Sequence, residues 1–478
     1  MKEQYKPTIG LEIHVELRTK TKMFCNSLND TDEERPNVNI CPVCMGYPGS
    51  LPVINKEAVR QVLRVGHAVG GKIADYTEFD RKNYFYPDIP KGYQISQYKY
   101  PLITGGSLAG VALTRIHLEE DTAKSTHDAE GVSLLNFNRA GVPLMELVTE
   151  PVIHDTETAS RFAKEFQLLL TYLEASHANM EKGEMRVEAN ISVSKDDEFG
   201  LNQSEGLIDR TGKPVLGTKV EVKNLNSFRA VEKAIKYEVE RHIELLERGE
   251  KVVQETRGWD ENKESTFPQR AKEDSHDYRY FPDPDLPKLF ISEIPEFSLV
   301  NFSESLPELP WTKRERLQRD FGIKPEDAEI YVQDTKWGEY FEVVVGILNN
   351  KELNQLASNY ITTDLKTQIN PKDFVEVIRM VGDGSVSSRG AKNILKILEE
   401  KGGDPRAVAL ENNLIQKSDR EELKKIVLVV LSENEKVVED YKKGNVALLQ
   451  FLIGQSMKAS KGSGNPSIFK EILEKELE

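Results

Sequence analysis

Two short segments of the sequence concentrate carboxylate and imidazole side chains. In the first, IGLEIHVEL, three such residues alternate with apolar ones: Glu12, His14 and Glu16. The second, TRIHLEEDTAKSTH, places four of them almost side by side: His117, Glu119, Glu120 and Asp121. Carboxylates joined by an imidazole suit Mg²⁺ or Mn²⁺, especially where nucleotide phosphates complete the coordination shell. The two segments therefore predict a divalent-cation site.

Strand geometry would separate the charged and apolar residues of both segments. Alternate residues of an extended strand share one face, so Glu12 and His14 lie opposite Ile13, and Glu119 lies opposite Glu120. Two acidic strands packed together would repel each other unless a cation lay between them. The alternative is a pair of solvated edge strands whose charges discourage aggregation, and spacing alone does not separate the two interpretations.

Another segment, FDRKNYFYPDIPKGYQISQY, mixes cations with tyrosine and phenylalanine side chains. The cations are Arg81, Lys82 and Lys91, and prolines and a glycine break the segment into loops. Cations flanked by aromatic rings suit phosphates and bases. The alternative is an ordered proline-rich loop without a ligand.

The stretch GHAVGGK (66–72) has the glycine and lysine spacing of a phosphate-binding P-loop. However, Ile73 stands where that motif needs Ser or Thr, and the preceding EAVRQVLRVGHAVG indicates a helix where a strand is required. We therefore interpret this stretch as a helix that ends at Gly70-Gly71. If ATP is used, it binds elsewhere.

Composition and charge limit the class of protein. The 478 residues, of which 38% are hydrophobic and 30% charged, predict two or three globular domains. The net charge of −15 argues against a general polyanion binder, but residues 406–478 balance 12 Lys plus Arg against 12 Asp plus Glu. Any nucleic-acid contact is therefore expected near the C-terminus. Without a bilayer-length apolar run or a signal sequence, we expect a cytoplasmic protein with no membrane contact.

Secondary-structure patterns change along the chain. Up to about residue 295, short β-rich runs such as Thr8 to Leu17 mix with amphipathic helices. The clearest helix runs from Val231 to Leu246 and stops at Gly249. The proline-rich segment Pro282 to Pro310 indicates a connector, and the pattern beyond it is almost wholly helical.

Ordered sequence blocks along nearly the whole chain carry a family resemblance. The blocks are IGLEIHVEL, FDRKNYFYPD, LEED, MEKGEMRVEANIS, KNLNSF, DYRYFPDPDLP and FLIGQSMKASKGSGNP. Together they resemble the B subunits of the glutamyl/aspartyl-tRNA amidotransferases. The resemblance implies an α+β cradle domain, an all-α helical domain and a small α-helical tail domain that binds tRNA. In this sequence they would span residues 1–295, 296–405 and 406–478.

The resemblance implies an ATP-dependent reaction on misacylated tRNA. The side-chain carboxylate of Glu-tRNA(Gln) or Asp-tRNA(Asn) would be phosphorylated, because ammonia cannot displace an oxide. Ammonia would arrive through a channel from an amidase A subunit. A small C subunit would complete the complex, with a non-discriminating synthetase as a further partner. The chain has no G-x-S-x-G nucleophile elbow, which fits an amidase on another subunit.

The resemblance also implies functional residues. The catalytic kinase site, on two strands that face each other across ATP, would comprise Glu12, His14, Glu119 and Glu120. The Mg²⁺ ligands would be Glu12, His14, Glu120 and Glu188. The cations near the phosphates or the channel mouth would be Lys82, Arg81 and Lys91. The tail residues near tRNA phosphates would be Lys442, Lys443, Lys458 and Lys461. At position 188 the family motif R-x-D-x-N has Asp, so the longer Glu side chain must reach the same cation.

The three cysteines, Cys25, Cys41 and Cys44, have the spacing of a zinc knuckle that lacks one ligand. Zinc-bearing members of the resembled family have a fourth cysteine two residues after the first, where this chain has Ser27. Because neutral serine is a poor ligand, a Zn²⁺ site and three reduced cysteines left from a lost site both stay open.

Three hypotheses from different classes follow. The first is the amidotransferase B subunit, with ATP and Mg²⁺ as cofactors. The second is a self-contained metal-dependent ATP ligase that acts on a small acid and needs neither tRNA nor partner subunits. The third is a non-catalytic scaffold that binds tRNA without the acidic cluster. The sequence does not decide which of the two tRNAs is the physiological substrate.

Overall fold

The chain folds into two compact units, Met1–Leu309 and Pro310–Glu478. The first mixes strands with helices and the second is helical, which confirms the predicted order of an α+β part and an all-α part. The division into three domains at residues 295 and 405 stays a prediction. This computed structural model describes residues 5–127, 132–195, 216–271, 278–298, 302, 305–416, 420–460 and 464–477.

The first unit is built from strands with three long helices between them. Its strands are β1 (Tyr5–Glu16), β2 (Lys72–Ile73), β3 (Tyr76–Thr77), β4 (Asp80–Asn83), β5 (Tyr93–Ser96), β6 (Ile103–Thr104), β7 (Ser107–Leu108), β8 (Val111–Glu120), β9 (Lys124–His127), β10 (Ser133–Asn136), β11 (Pro143–Thr149), β12 (Met185–Lys195), β13 (Val220–Leu225), β14 (Glu255–Asp260), β15 (Ser265–Ala271), β16 (Phe281–Pro282) and β17 (Leu289–Phe290). Its helices are α1 (Lys56–Ala68), α2 (Thr156–Tyr172) and α3 (Phe228–Glu247).

A ten-stranded sheet forms the frame of this unit, in the order β15-β14-β13-β12-β1-β11-β8-β6-β2, with β7 paired to β8. Neighbouring strands are antiparallel except for β13 and β14, which are parallel. A smaller three-stranded sheet has the order β16-β4-β5. The two predicted acidic strands, β1 and β8, therefore lie in one sheet with β11 between them.

The core of the first unit lies on the apolar sides of the central strands. Leu11 and Ile13 of β1 are buried and pair with Ala189 and Val187 of β12. Helix α3 packs on β12, and α2 packs on α3. The predicted helix is confirmed as α3, which ends just before Gly249 at a φ of +75°.

Helix α1 explains the P-loop-like stretch. It begins after Asn55, whose side chain accepts hydrogen bonds from the first-turn amides, and it ends at Ala68. Gly70 follows with a φ of +69°, a conformation that favours glycine. A helix therefore stands where a P-loop would need a strand, which confirms the prediction from the sequence.

The second unit contains helices joined by short loops. They are α4 (Pro310–Phe321), α5 (Pro325–Gln333), α6 (Thr335–Leu348), α7 (Lys351–Thr363), α8 (Pro371–Gly382), α9 (Ser388–Lys401), α10 (Pro405–Glu411), α11 (Arg420–Glu433), α12 (Glu435–Lys442), α13 (Leu448–Ala459) and α14 (Pro466–Leu477). Leu423, Leu452 and Phe469 are fully buried where α11, α13 and α14 pack together. Across the described ranges, no helix combines the length and the apolar character that a bilayer-crossing segment needs.

Candidate functional site

Strand β11 brings the two acidic segments together. In the register of the sheet, His14 of β1 lies opposite Glu146 of β11, and Glu146 lies opposite His117 of β8. Directly paired residues of an antiparallel sheet point to the same face. The predicted arrangement of two strands that face each other across a ligand is therefore wrong, because β1 and β8 are two strand spacings apart in one sheet, roughly 10 Å.

Glu146 is the centre of a cluster of carboxylates and imidazoles. Its Oε2 atom lies 3.3 Å from His14 Nε2 and 3.5 Å from His117 Nε2. His14 Nε2 is also 3.5 Å from Glu119 Oε1 and 3.7 Å from Glu12 Oε1. The side chain of Glu146 is only 8% exposed, so these interactions are weakly screened by water. We call Glu12, His14, His117, Glu119 and Glu146 the acidic cluster.

A second group of carboxylates extends the acidic cluster across β12 and β13. Glu188 pairs with Glu12 in the register of β1 and β12, and Glu221 lies on the neighbouring strand β13. Lys223 Nζ is 2.7 Å from Glu188 Oε2 and 3.6 Å from Glu221 Oε1. The Glu188 carboxylate thus lies within 4.8 Å of those of Glu12 and Glu221, while its contact with the predicted cation stays a prediction.

Apart from the three cysteines, whose sulfur atoms also lie within 4.8 Å of one another, three sets of side chains among the described residues bring their ligand atoms this close and could each hold a metal ion. They are Glu12 with His14 and Glu146, His117 with Glu119 and Glu146, and Glu12 with Glu188 and Glu221. Carboxylate oxygens with an imidazole nitrogen suit Mg²⁺ or Mn²⁺. The donor chemistry therefore fits the divalent cation that the sequence predicts.

Burial and mutual charge shift the acid–base properties of the acidic cluster. Burial, together with the charges of Glu146 and Glu188, raises the pKa of Glu12 to about 7. Burial opposes the charge on His14, but its hydrogen bond to Glu146 and the surrounding carboxylates raise its pKa to about 9. Burial lowers the pKa of His117 to about 4. At neutral pH and without a metal ion, a protonated His14 thus partly balances the carboxylates, whereas His117 is neutral. A metal ion at His14 would have to displace that proton.

Glu120 does not join the acidic cluster. Because side chains alternate along β8, Glu120 points to the opposite face from Glu119. Its carboxylate forms a short ion pair with Lys91 and accepts a hydrogen bond of 2.9 Å from the amide of Ile95. The structure thus separates Glu120 from Glu12 and His14, with which the sequence had grouped it.

The three predicted cations also have different surroundings. Lys82 lies in the field of the acidic cluster, since the charge of Glu119 raises the lysine pKa against the opposing effect of burial. Arg81, the next residue on β4, instead binds Asp283 and Asp285, each at 2.8 Å. Of the three cations, Lys82 is therefore the one directed at the acidic cluster, while Lys91 pairs with Glu120.

Two members of this site have little signal in the sequence. Glu146 is the single carboxylate in the buried strand β11, PLMELVT, and it stands out only as a charge in an apolar run. Glu221 alternates with apolar residues on β13, as do many surface residues of sheets. Neither forms a local motif, because their partners come from other strands.

A separate cluster contains the three thiols. Cys44 Sγ lies 3.8 Å from Cys41 Sγ and accepts a hydrogen bond of 3.1 Å from the Cys41 amide. Ser27 Oγ and the ammonium of Lys22 are each 3.9 Å from Cys44 Sγ. Lys22 is fully buried and donates a further hydrogen bond of 2.7 Å to the carbonyl of Ala140.

The thiol cluster has the sulfur atoms for three zinc ligands, but it also has features of an ammonium–thiolate pair. The hydrogen bond from Cys25 and the charge of Lys22 lower the pKa of Cys44 to about 5, so Cys44 is a thiolate at neutral pH. A structural zinc site normally has four Cys or His ligands, whereas this cluster offers a hydroxyl as the fourth group. Burial lowers the pKa of the Lys22 amino group beside Cys44, and the neighbouring thiols partly oppose this effect.

The predicted tail lysines are exposed where the structure describes them. Lys442 and Lys443 lie at the end of α12, and Lys458 lies near the end of α13. Lys443 contacts Asp440 at 3.3 Å, which partly offsets its charge. Lys461 lies outside the described residues.

Comparison with known proteins gives consistent matches along the chain. Residues 7–295 match the family described as the GatB/GatE catalytic domain, and residues 338–477 match the GatB domain. The B subunit of an aspartyl/glutamyl-tRNA(Asn/Gln) amidotransferase from Thermomicrobium roseum is 41% identical over 99% of both chains. Proteins of the same name from Crocosphaera subtropica and Caldanaerobacter subterraneus are 39% and 40% identical, over at least 98% of each chain.

The geometry predicts which carboxylates bind a divalent cation. Glu146→Gln removes the central carboxylate and should weaken Mn²⁺ binding by about tenfold to a hundredfold, measured by electron paramagnetic resonance of the free ion. Glu120→Gln, on the opposite face of β8, should leave Mn²⁺ affinity unchanged. An equal loss of affinity in both variants would contradict the separation of Glu119 from Glu120.

The thiol cluster predicts a protein without stoichiometric zinc. Elemental analysis of protein purified without chelators should find far less than one equivalent, because the fourth group of the cluster is the hydroxyl of Ser27. Close to one equivalent of zinc, lost on Cys41→Ser, would establish the zinc knuckle instead.

Proposed function

The chain belongs to the GatB/GatE family, and we propose that it activates the side-chain carboxylate of misacylated tRNA by phosphorylation. Its relatives are named for tRNA(Asn) and tRNA(Gln), which supports Asp-tRNA(Asn) and Glu-tRNA(Gln) as the substrates. The chain acts as one subunit of a glutamine-hydrolysing carbon–nitrogen ligase. Its proposed partners are an amidase A subunit, a small C subunit and a non-discriminating synthetase.

The reaction needs two steps at one place. ATP transfers its γ-phosphoryl group to the carboxylate and leaves as ADP, which gives an acyl phosphate. Neutral ammonia then attacks the acyl carbon, phosphate leaves with the proton that the nitrogen loses, and the side chain becomes an amide. Positioning and charge neutralisation supply most of the catalysis in the first step, because the protein forms no covalent bond to the phosphoryl group.

The acidic cluster beside Lys82 is the observation that carries this proposal. Glu12, His14 and Glu146 would hold Mg²⁺, and Glu188 would contribute from the neighbouring strand. When bound, Mg²⁺ would neutralise charge on the transferring phosphoryl group. The proposed catalytic residues are thus Glu12, His14, Glu119 and Glu146, without Glu120.

Lys82 and the buried face of the sheet have complementary tasks in this proposal. The Lys82 ammonium is held near Glu119 by charge and would attract the anionic phosphoryl group. His117 and Glu119 are buried, so bulk water has little access to the acyl phosphate, which it would otherwise hydrolyse. Lys91 stays the candidate for the channel mouth, because its ion pair with Glu120 lies on the opposite face of β8.

Loss of a cluster side chain should stop activation of the carboxylate in the assembled complex. Glu12→Gln and His14→Ala should each lower acyl-tRNA-dependent ATP cleavage by about a hundredfold or more, because the phosphoryl charge is no longer neutralised. Glutaminase activity of the A subunit should persist, and added ammonium chloride should not restore amidation. The matched control is Glu250→Gln, which alters an exposed residue after α3 and should leave ATP cleavage unchanged.

Two results would contradict this proposal in different ways. ATP cleavage that needs no acyl-tRNA would favour a self-contained ligase. Normal amidation by Glu12→Gln and His14→Ala would favour a tRNA-binding scaffold.

The proposed tRNA contact of the tail is best tested with point variants. Deletion from residue 406 would cut through the second unit, since Gln416 donates a hydrogen bond of 2.7 Å to the Ser385 carbonyl. Asn465 likewise donates to the Gly384 carbonyl at 3.1 Å. Exposed lysines can be replaced without loss of these contacts.

Removal of tail lysines should weaken tRNA binding in a salt-dependent way. For Lys442→Ala and Lys458→Ala, each lost phosphate contact should flatten the log–log salt slope of tRNA affinity by roughly 0.7 to 0.9. Lys470→Ala is a control on α14, where Glu474 lies 3.8 Å from the lysine. Salt slopes equal to that of the unaltered complex would assign the tail to assembly or folding.

A further inference from the structure

One face of the small sheet β16-β4-β5 carries a row of tyrosines. The ring centroids of Tyr84 and Tyr278 are 5.7 Å apart, and those of Tyr278 and Tyr280 are 6.1 Å apart. Tyr280 stacks on Tyr98 with centroids 4.3 Å apart and planes at 10°. We call Tyr84, Tyr278, Tyr280 and Tyr98 the tyrosine row.

The tyrosine row starts beside the acidic cluster. Lys82 Nζ is 5.0 Å from the ring centroid of Tyr278 and 5.9 Å from that of Tyr84. Ser96, two residues before Tyr98, donates a hydrogen bond of 3.4 Å to Glu119. The face of the small sheet that carries the tyrosines is therefore the face turned to the proposed kinase site.

The far end of the row is open to solvent. Tyr98 is 64% exposed although one side of its ring is covered by Tyr280, so the other side is available for stacking. At the other end of the row, Phe85, which follows Tyr84, is 88% exposed. Large aromatic side chains exposed together commonly mark a binding surface.

Exposed aromatic rings beside a cation suit an unpaired nucleobase. Proteins recognise single-stranded RNA ends by stacking bases on tyrosine and phenylalanine, with basic groups near the backbone. The base of a small nucleotide such as ATP is usually enclosed in a concave pocket, whereas Tyr98 offers an open ring. The carboxylate to be activated is attached to the terminal adenosine of the tRNA, so that base must lie one aminoacyl ester away from the acidic cluster.

We propose that Tyr98, supported by Tyr280, stacks on the 3′-terminal adenine of the acyl-tRNA and thereby directs the acyl group past Lys82 to the acidic cluster. This assignment rests on the proposed function, because it names the residue that binds the acceptor end of that substrate. Tyr98 is a binding residue in this proposal, since it would contact the base and not the carboxylate that reacts.

The test uses the assembled complex and acyl-tRNA whose terminal adenine is replaced by 2-aminopurine. Stacking should quench the fluorescence of this base in the unaltered complex and in Tyr98→Phe, which keeps the ring. Tyr98→Ala should lose the quenching and raise the KM for acyl-tRNA about fivefold to a hundredfold, while kcat and the KM for ATP stay unchanged. Tyr47→Ala removes a similarly exposed tyrosine, at 59%, that is not part of the tyrosine row, and is the matched control.

Three outcomes would overturn the assignment. If Tyr98→Ala raises the KM for ATP and leaves the KM for acyl-tRNA unchanged, Tyr98 stacks on the adenine of ATP instead. If the unaltered complex cleaves ATP in response to acyl-tRNA and Tyr98→Ala behaves identically, the tyrosine assignment alone fails. If the unaltered complex does not cleave ATP in response to acyl-tRNA, both the proposed function and the tyrosine assignment fail.

Discussion

A single buried carboxylate between two imidazoles sets the arrangement of this site. Glu146 lies within 3.5 Å of both His14 and His117, and its strand separates the strands that carry them. Burying a carboxylate is costly unless positive charge or hydrogen bonds compensate for the lost hydration. Here the charge of His14 and the nearby imidazole of His117 provide part of that compensation, and the proposed cation would add to it. The order β1-β11-β8 at the middle of the sheet is therefore both the frame of the fold and the basis of the site.

The alternation of β8 divides two adjacent carboxylates between two environments. Glu119 faces the acidic cluster, whereas Glu120 faces Lys91 on the opposite side. Lys82 and the tyrosine row approach the Glu119 side on the small sheet, which Ser96 links to Glu119. One strand can thus serve the activation chemistry on one face and a separate ion pair on the other. The two side chains are separated without a loop, because successive residues of a strand point to opposite faces of the sheet.

In the thiol cluster, packing adds a residue that the cysteine spacing does not predict. The spacing of Cys25, Cys41 and Cys44 left a zinc knuckle and a lost site equally open. The amino group of buried Lys22, three residues before Cys25, lies 3.9 Å from Cys44 Sγ. A lysine in a polar stretch of sequence carries no sign that it will be buried. The local sequence therefore indicates the three thiols but not that Lys22 packs against them.

The sequence by itself determined the family, the order of an α+β part and a helical part, the strand alternation of IGLEIHVEL, and the helix that excludes a P-loop. These features are local, because periodicity, capping and contiguous motifs act within a few residues along the chain. Only the tertiary structure decided that β11 lies between β1 and β8, that Glu146 and not Glu120 lies beside His14 and His117, and that Tyr98 stacks on Tyr280. Those contacts join residues far apart in the chain, and strand order and register fix them through the burial of side chains on distant elements.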